Sequence, residues 1–144
     1  MQLQQLLVPA AALLLASCQQ GGEGDTSISG EAAQASSIGM DEKVQFGGNE
    51  PFWGGEVSGA ALTYTTPENP DGTRITVSRR AGLGGISWSG EMDGEAFMLA
   101  VSELQCSDGM SGRTYSLTAT LQLGSQPARQ GCAWTESMPY SDIE

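Results

Sequence analysis

Histidine does not occur in the 144 residues, and its absence removes the commonest general base together with every Ser-His-Asp arrangement. It also denies the three cysteines the imidazole partners that a zinc site would use. Positive charge is scarce: six Lys and Arg stand against 17 Asp and Glu, a formal net charge of −11. Only Arg79 and Arg80 are adjacent, so the clustered cations that neutralise phosphates are missing and nucleic acid is excluded as a partner. The same imbalance disfavours adhesion of the domain as a whole to anionic lipid headgroups. It suits a cationic protein partner, or simply a solvated surface. No Gly-x-Ser-x-Gly elbow, phosphate-binding loop or dinucleotide fingerprint is present, and no cofactor and no metal are expected. Apolar residues never run for the ~20 positions of a membrane-spanning helix, and no helix-period segment of useful length occurs.

What is present begins with a short apolar run. Leu6 to Ala16 is broken only by Pro9, carries no charge and has the length of a signal-peptide hydrophobic segment. It closes in Leu15-Ala16-Ser17-Cys18, where small residues precede the thiol. These residues resemble the lipobox of bacterial lipoproteins, although Met1 to Gln5 lack the usual Lys or Arg. The resemblance implies a signal peptide over 1–17 and a diacylglyceryl and acyl (palmitate-type) anchor on Cys18. Gln19, where Asp would favour retention at the inner membrane, implies the periplasmic face of the outer membrane. Acyl chains add about 0.8 kcal/mol per buried CH₂, so two or more anchor stably. Residues 18–43 are Gly, Ser, Ala, Gln and acids, too poor in large apolar side chains to offset ordering entropy, and read as a flexible tether.

About one hundred residues remain, enough for one core. They alternate with period two. Tyr115 to Leu123 places apolar residues at odd positions, and Phe97, Leu99 and Val101 make a second stripe. Leu62 with Tyr64, Ile75 with Val77, and Ile86 with Trp88 continue it in shorter pieces. Turn chemistry separates the runs at Pro67–Gly72, Gly82–Gly85, Asp93-Gly94 and Ser107–Gly109, with Asp93-Gly94 predicting a type I′ hairpin. The pattern predicts an all-β domain over 44–136, a small antiparallel barrel or sandwich of about 7–8 strands, with 137–144 as a tail. Closure into a barrel is favoured because the strands carry little charge to protect an edge.

Cys106 and Cys132 flank the strongest strand, and in an oxidising compartment their pairing is the expected state. Three clusters are more particular than generic β sequence: Gly48-Asn49-Glu50-Pro51-Phe52-Trp53, Cys106 to Tyr115, and Gly131-Cys132-Ala133. In this order they resemble a family of largely uncharacterised Gram-negative envelope proteins, often lipoproteins, with GNEPFW, CxDGMSxRxY and GCA motifs. The resemblance spans roughly residues 44–134. It implies a periplasm-facing β domain and a Cys106–Cys132 bridge, and no particular activity.

The candidate binding residues come from these clusters: Glu50, Trp53, Asp108, Ser111, Arg113 and Tyr115. Pro51 fixes its own φ and should hold Glu50 extended. Trp53 should plug one end of the core or present its indole to a ligand. Arg113 is the expected ion-pair partner of Glu50, which would join two motifs at one barrel end. The Asp108–Gly112 loop should make a tight turn, or offer backbone N–H groups to an anion. Ser111-Gly112-Arg113-Thr114-Tyr115 is also similar to the SGxxY loop of periplasmic and membrane-bound c-type lysozyme inhibitors. The sequence therefore predicts a monomeric, lipid-anchored, non-enzymatic binding or envelope-interaction module, whose partner would be a cationic protein or an envelope glycan. The alternatives are lysozyme inhibition through residues 111–115 and a glycan hydrolase using Glu50 and Asp108 as its carboxylate pair.

Overall fold

The computed structural model describes residues 36–142. The expected signal peptide, Cys18 and the tether as far as residue 35 lie outside the described residues, as do 143 and 144.

Ten strands form among the described residues, and none of these residues is helical. Eight of the strands close into an antiparallel barrel. In chain order the barrel strands are β1 (Val44–Gly48), β2 (Trp53–Ser58), β3 (Ala61–Thr66), β4 (Asn69–Gly82), β5 (Gly85–Met92) and β6 (Glu95–Ser102), then β9 (Leu117–Leu123) and β10 (Arg129–Thr135). Neighbours in the chain pair along the meander from β1 to β6. β9 then pairs with β6, and β10 returns to β1 to shut the ring. The all-β barrel expected from the sequence is thus the fold. Closure leaves no free edge among these eight strands.

Period-two patterning decides which face is buried. β9 alternates buried and half-buried residues throughout, with Leu117, Ala119, Leu121 and Leu123 inside. Phe97, Leu99 and Val101 point inward from β6 while Met98 is 46% exposed on the other face. Phe46, Trp53, Leu62, Tyr64, Ile75 and Trp88 fill the rest, so the interior is packed with side chains rather than hollow. Asp93 (φ 52) and Gly94 (φ 81) both occupy the left-handed region between Met92 and Glu95, the type I′ geometry expected of that dipeptide.

Registers define two rims. The upper rim carries the turns at 49–52, 67–68, 93–94 and 124–128. The lower rim carries residues 36–43, the turns at 59–60 and 83–84, the exit of β6 and the segment after β10. Between β6 and β9, residues 103–116 do not join the barrel. They form a strap whose own two-stranded ladder pairs β7 (Cys106–Ser107) with β8 (Thr114–Tyr115).

Four expectations are corrected. Residues 36–43 belong to the folded body: Ile38 is 3% exposed in the core, and Ser36 and Ser37 bind Glu103. One isoleucine caps the lower rim, which average composition hides. Residues 137–142 are no tail, because Met138 packs on the core and Ser141 bridges Thr114 through reciprocal backbone hydrogen bonds. The turn at 67–72 shrinks to Pro67-Glu68, since β4 starts at Asn69 and absorbs the surplus in a register shift between Tyr64 and Thr66. Tyr115 is not the first residue of the long strand. It pairs with Cys106, and the chain bends at Ser116 before Leu117 enters the barrel.

Candidate functional site

The three sequence clusters meet on the outer wall over β1 and β10. Residues 44 and 46 of β1 and 133 and 135 of β10 face the core, so Gly47, Cys132 and Trp134 face outward by alternation. The strap crosses that outer face. It is clamped at mid-wall by the Cys106–Cys132 disulfide, with Cα atoms 5.5 Å apart. At the upper rim Asn49 Nδ2 donates to the carbonyl oxygen of Asp108 at 2.8 Å. Gly131 lets the two strands under the strap approach: a Cβ there would lie 2.2 Å from the Gly47 carbonyl oxygen. Gly48 serves Trp53 in the same way, since a Cβ on it would stand 2.3 Å from the indole Nε1. The first and third clusters therefore each owe a glycine to a specific close contact.

Asp108 organises the strap tip. Its Oδ1 accepts from the backbone N–H of Met110 (2.9 Å) and of Ser111 (2.8 Å). Its Oδ2 accepts from the Ser111 hydroxyl (2.6 Å) and the Tyr115 hydroxyl (3.3 Å). Donation by the Ser111 hydroxyl, then by these two amides, favours the charged form and holds the carboxyl down at about 2. Gly109 (φ 70) and Gly112 (φ 72) supply the left-handed backbone that lets so short a loop wrap one carboxylate. The tight-turn reading of this loop accounts for its amides, because two of its N–H groups are spent inside it.

Below the tip sits an aromatic cluster. Tyr115 packs on Trp134 (5.5 Å between centroids) and Tyr140 (5.4 Å), and Trp134 meets Tyr140 edge-on at 5.8 Å. Arg113 lies over the Tyr140 ring, 4.3 Å from its centroid, and its Nε donates to Asp142 Oδ1 at 2.8 Å.

Of the sequence-predicted site residues, Asp108, Ser111 and Tyr115 form one hydrogen-bonded unit, and Arg113 flanks it. Glu50 does not join them. The expected Glu50–Arg113 pair is replaced by Arg113–Asp142, and Glu50 stands exposed at the tip of the β1–β2 turn. The expectation of an extended Glu50 also fails: its φ is 59, followed by a cis bond to Pro51. Gly48 and Trp53 are register partners, so four residues must reverse the chain between them, and Glu50 takes the left-handed turn position. Trp53 is 4% exposed and packs on Phe46 at 6.0 Å, inside the upper end of the core. Its Nε1 is buried without a hydrogen-bond partner, as is that of Trp88 deeper in the barrel.

The strap and the wall enclose a trough of about 370 Å³ lined by Gly47–Asn49, Gln105, Cys106 to Asp108, Thr118 and Gln130–Cys132. Around the strap tip it adjoins a smaller cleft of about 150 Å³, where Asn49, Asp108 and Cys132 recur beside Trp53, Tyr115 and Trp134. Asp108 is the one charged side chain on either lining. Sequence reasoning missed Asn49, Gln105, Gln130, Trp134 and Tyr140. For Trp134 and Tyr140 there was a signal, aromatic residues in an otherwise polar C-terminal stretch that a tail would not need. Asn49 lay within the first cluster, and for Gln105 and Gln130 there was none. Among the described residues no group of three or more acidic or cysteine side chains could hold a metal ion.

In comparisons with known proteins, no family model, no curated protein and no solved structure matches this chain.

Proposed function

We propose that this protein is a lipid-anchored cell-envelope binding module that performs no chemistry of its own, and that the trough under the strap takes an uncharged envelope glycan. The observation that carries the reading is the lining of that trough: amides and hydroxyls of Asn49, Gln105, Ser107, Thr118 and Gln130, with the half-buried Trp134 around the tip. Donor–acceptor side chains beside an aromatic face suit the hydroxyl edge and apolar face of a sugar ring. A single carboxylate and no cation give an anionic ligand nothing to pair with. The disulfide and the Asn49–Asp108 bond fix the strap in advance, which lowers the ordering cost of binding.

Asp108 also supports the non-enzymatic reading. Both oxygens of its carboxylate are taken up by four hydrogen bonds from its own loop and Tyr115, which leaves it poorly placed to serve as either member of a glycosidase carboxylate pair. Lysozyme inhibition through Ser111–Tyr115 has less geometry behind it. The Tyr115 ring is 6% exposed and the Ser111 hydroxyl is bound to Asp108, so neither is free to enter an enzyme cleft.

The test is an NMR titration of the domain with soluble, uncharged peptidoglycan disaccharide fragments, run in parallel with a c-type lysozyme activity assay. The proposal expects shifts at the side-chain amides of Gln105 and Gln130 and at the Trp134 indole, abolished by Gln130→Ala with Trp134→Ala. Unmoved resonances at millimolar fragment would overturn the glycan reading. Slowed lysozyme, lost in Tyr115→Ala, would install the inhibitor in its place.

A further inference from the structure

The two rims of the barrel differ in a way the binding trough does not use. Among the described residues, six large apolar side chains are prominently exposed, and three of them gather at the lower rim: Met40 (72%), Leu83 (79%) and Leu104 (63%). They are held there. The Glu103 N–H donates to the Gly84 carbonyl at 2.9 Å, which sets Leu83 and Leu104 on either side of one hydrogen bond. The carbonyl of Leu104 accepts from Thr118 Oγ1 at 3.1 Å. Met40 lies against Arg79, whose guanidinium also binds the Ile38 carbonyl. A shallow groove of about 240 Å³ beside Leu83 is lined by Arg80 and small residues such as Ala81 and Ala100, which extends the apolar area.

The chain joins the barrel at this rim. Ser37 donates to Glu103 Oε1 through its N–H (2.6 Å) and its hydroxyl (2.8 Å), and Ser36 adds a third bond at 3.2 Å. Everything before Ser36 therefore leaves from beside Leu104. Seventeen residues lie between Cys18 and Ser36, eighteen chain steps with a maximum span of ~60 Å at about 3.5 Å each.

Charge separates the ends as well. The upper rim exposes Glu50, Glu68, Asp71, Glu91, Asp93 and Glu95 against Arg129, a net of −5. The lower rim sets Lys43, Arg79 and Arg80 against Asp41, Glu42, Glu56 (paired with Lys43), Glu103 and Glu136, a net of −2. An anionic leaflet repels the first far more than the second.

We propose that the lower rim, through Met40, Leu83 and Leu104, is the face that rests on the lipid surface to which the chain is tethered. The inference rests on the reading of the chain as membrane-anchored, and adds which way the domain faces. The occupant is a bilayer because the tether leaves from this rim and because the exposed residues are single aliphatic side chains on turns, which enter the headgroup boundary without a matching pocket. The contact orients a domain already held nearby and does not recruit it from solution. The trough, on the side wall, stays open to the periplasm.

The experiment uses the full chain carrying an N-terminal histidine tag, bound to phosphatidylethanolamine–phosphatidylglycerol vesicles through a nickel-chelating lipid. The vesicles contain acyl chains brominated near the headgroup. Leu83→Trp and Leu104→Trp should each lose most of the emission they add, whereas Phe52→Trp at the upper rim keeps its own. The native Trp53 and Trp88 are buried out of reach of the quencher, and the half-buried Trp134 contributes a background that the unsubstituted chain measures on the same vesicles and that is subtracted from every variant. Equal quenching at the two rims, or stronger quenching at Phe52→Trp, overturns the proposal. Flotation of the untagged chain with cell membranes, compared with Cys18→Ser, tests the anchor separately, so either reading can fail while the other stands.

Discussion

The side-chain amide of Asn49 is hydrogen-bonded to the backbone carbonyl of Asp108, 59 residues further along the chain, at 2.8 Å. This contact joins the first sequence cluster to the second, at the place where an ion pair between Glu50 and Arg113 was expected. It leaves the Asp108 carboxylate free to gather its own loop. It also leaves Arg113 free to reach Asp142 across the Tyr140 ring. The strap is therefore held by a neutral hydrogen bond above and a covalent bond in the middle, with its one buried tyrosine packed below.

The Asp108 carboxyl should titrate at about 2, below its ordinary 3.8, because the charged form accepts four hydrogen bonds. A depressed folded-state value stabilises the strap above pH 3.8, and that contribution is lost as pH falls through about 2. Carbon-detected NMR of the side-chain carboxyl checks this. A midpoint at the ordinary value would mean that the loop does not close around Asp108 in solution.

Cys106→Ser with Cys132→Ser should lower stability by about 3 kcal/mol, the chain-entropy value for a loop of this length, and should release the strap. The separation is 26 residues. Urea denaturation with and without reductant measures the first effect. Amide exchange at Met110 and Ser111 measures the second, and unchanged protection there would show that the bridge is not what seats the strap.

Gly131→Ala should cost about 1–3 kcal/mol or more, since overpacking against backbone has no soft atom to displace. The new Cβ would sit 2.2 Å from the Gly47 carbonyl oxygen and 2.9 Å from the Gly48 Cα. A thermal melt within a degree of wild type would contradict the close approach of β1 and β10.

Ile38→Ala should lose about 2–4 kcal/mol, the usual range for deleting a buried aliphatic side chain. The residue is 3% exposed within a segment whose composition reads as linker. An unaffected denaturation midpoint would restore residues 36–43 to the tether.

Legibility in the sequence followed the range of the interactions. The stripes Phe97–Val101 and Leu117–Leu123 were readable because alternation is a local property, and the structure buries those residues. The Asp93-Gly94 hairpin was readable because two positive φ angles demand that chemistry. The Cys106–Cys132 bridge was readable by number and compartment, and it forms. The strap was not. Tyr115 continues the odd-position rhythm of β9, and nothing local says that Ser116 breaks it and that Tyr115 pairs with Cys106 instead. Asn49, Gln105 and Gln130 are unremarkable amides until the folded wall places them on one trough.

By itself, then, the sequence determined an all-β domain, its main inward faces, its sharpest turn and the residues able to bridge, because each follows from backbone geometry over a few residues or from redox chemistry. Only the tertiary structure decided which strands close the ring, where the domain begins and ends, and which partners Asn49, Asp108, Arg113 and Tyr115 choose. Those choices depend on groups dozens of residues apart meeting on one surface. A side chain such as Glu50 or Arg113 has many acceptable partners, and distance in space selects among them.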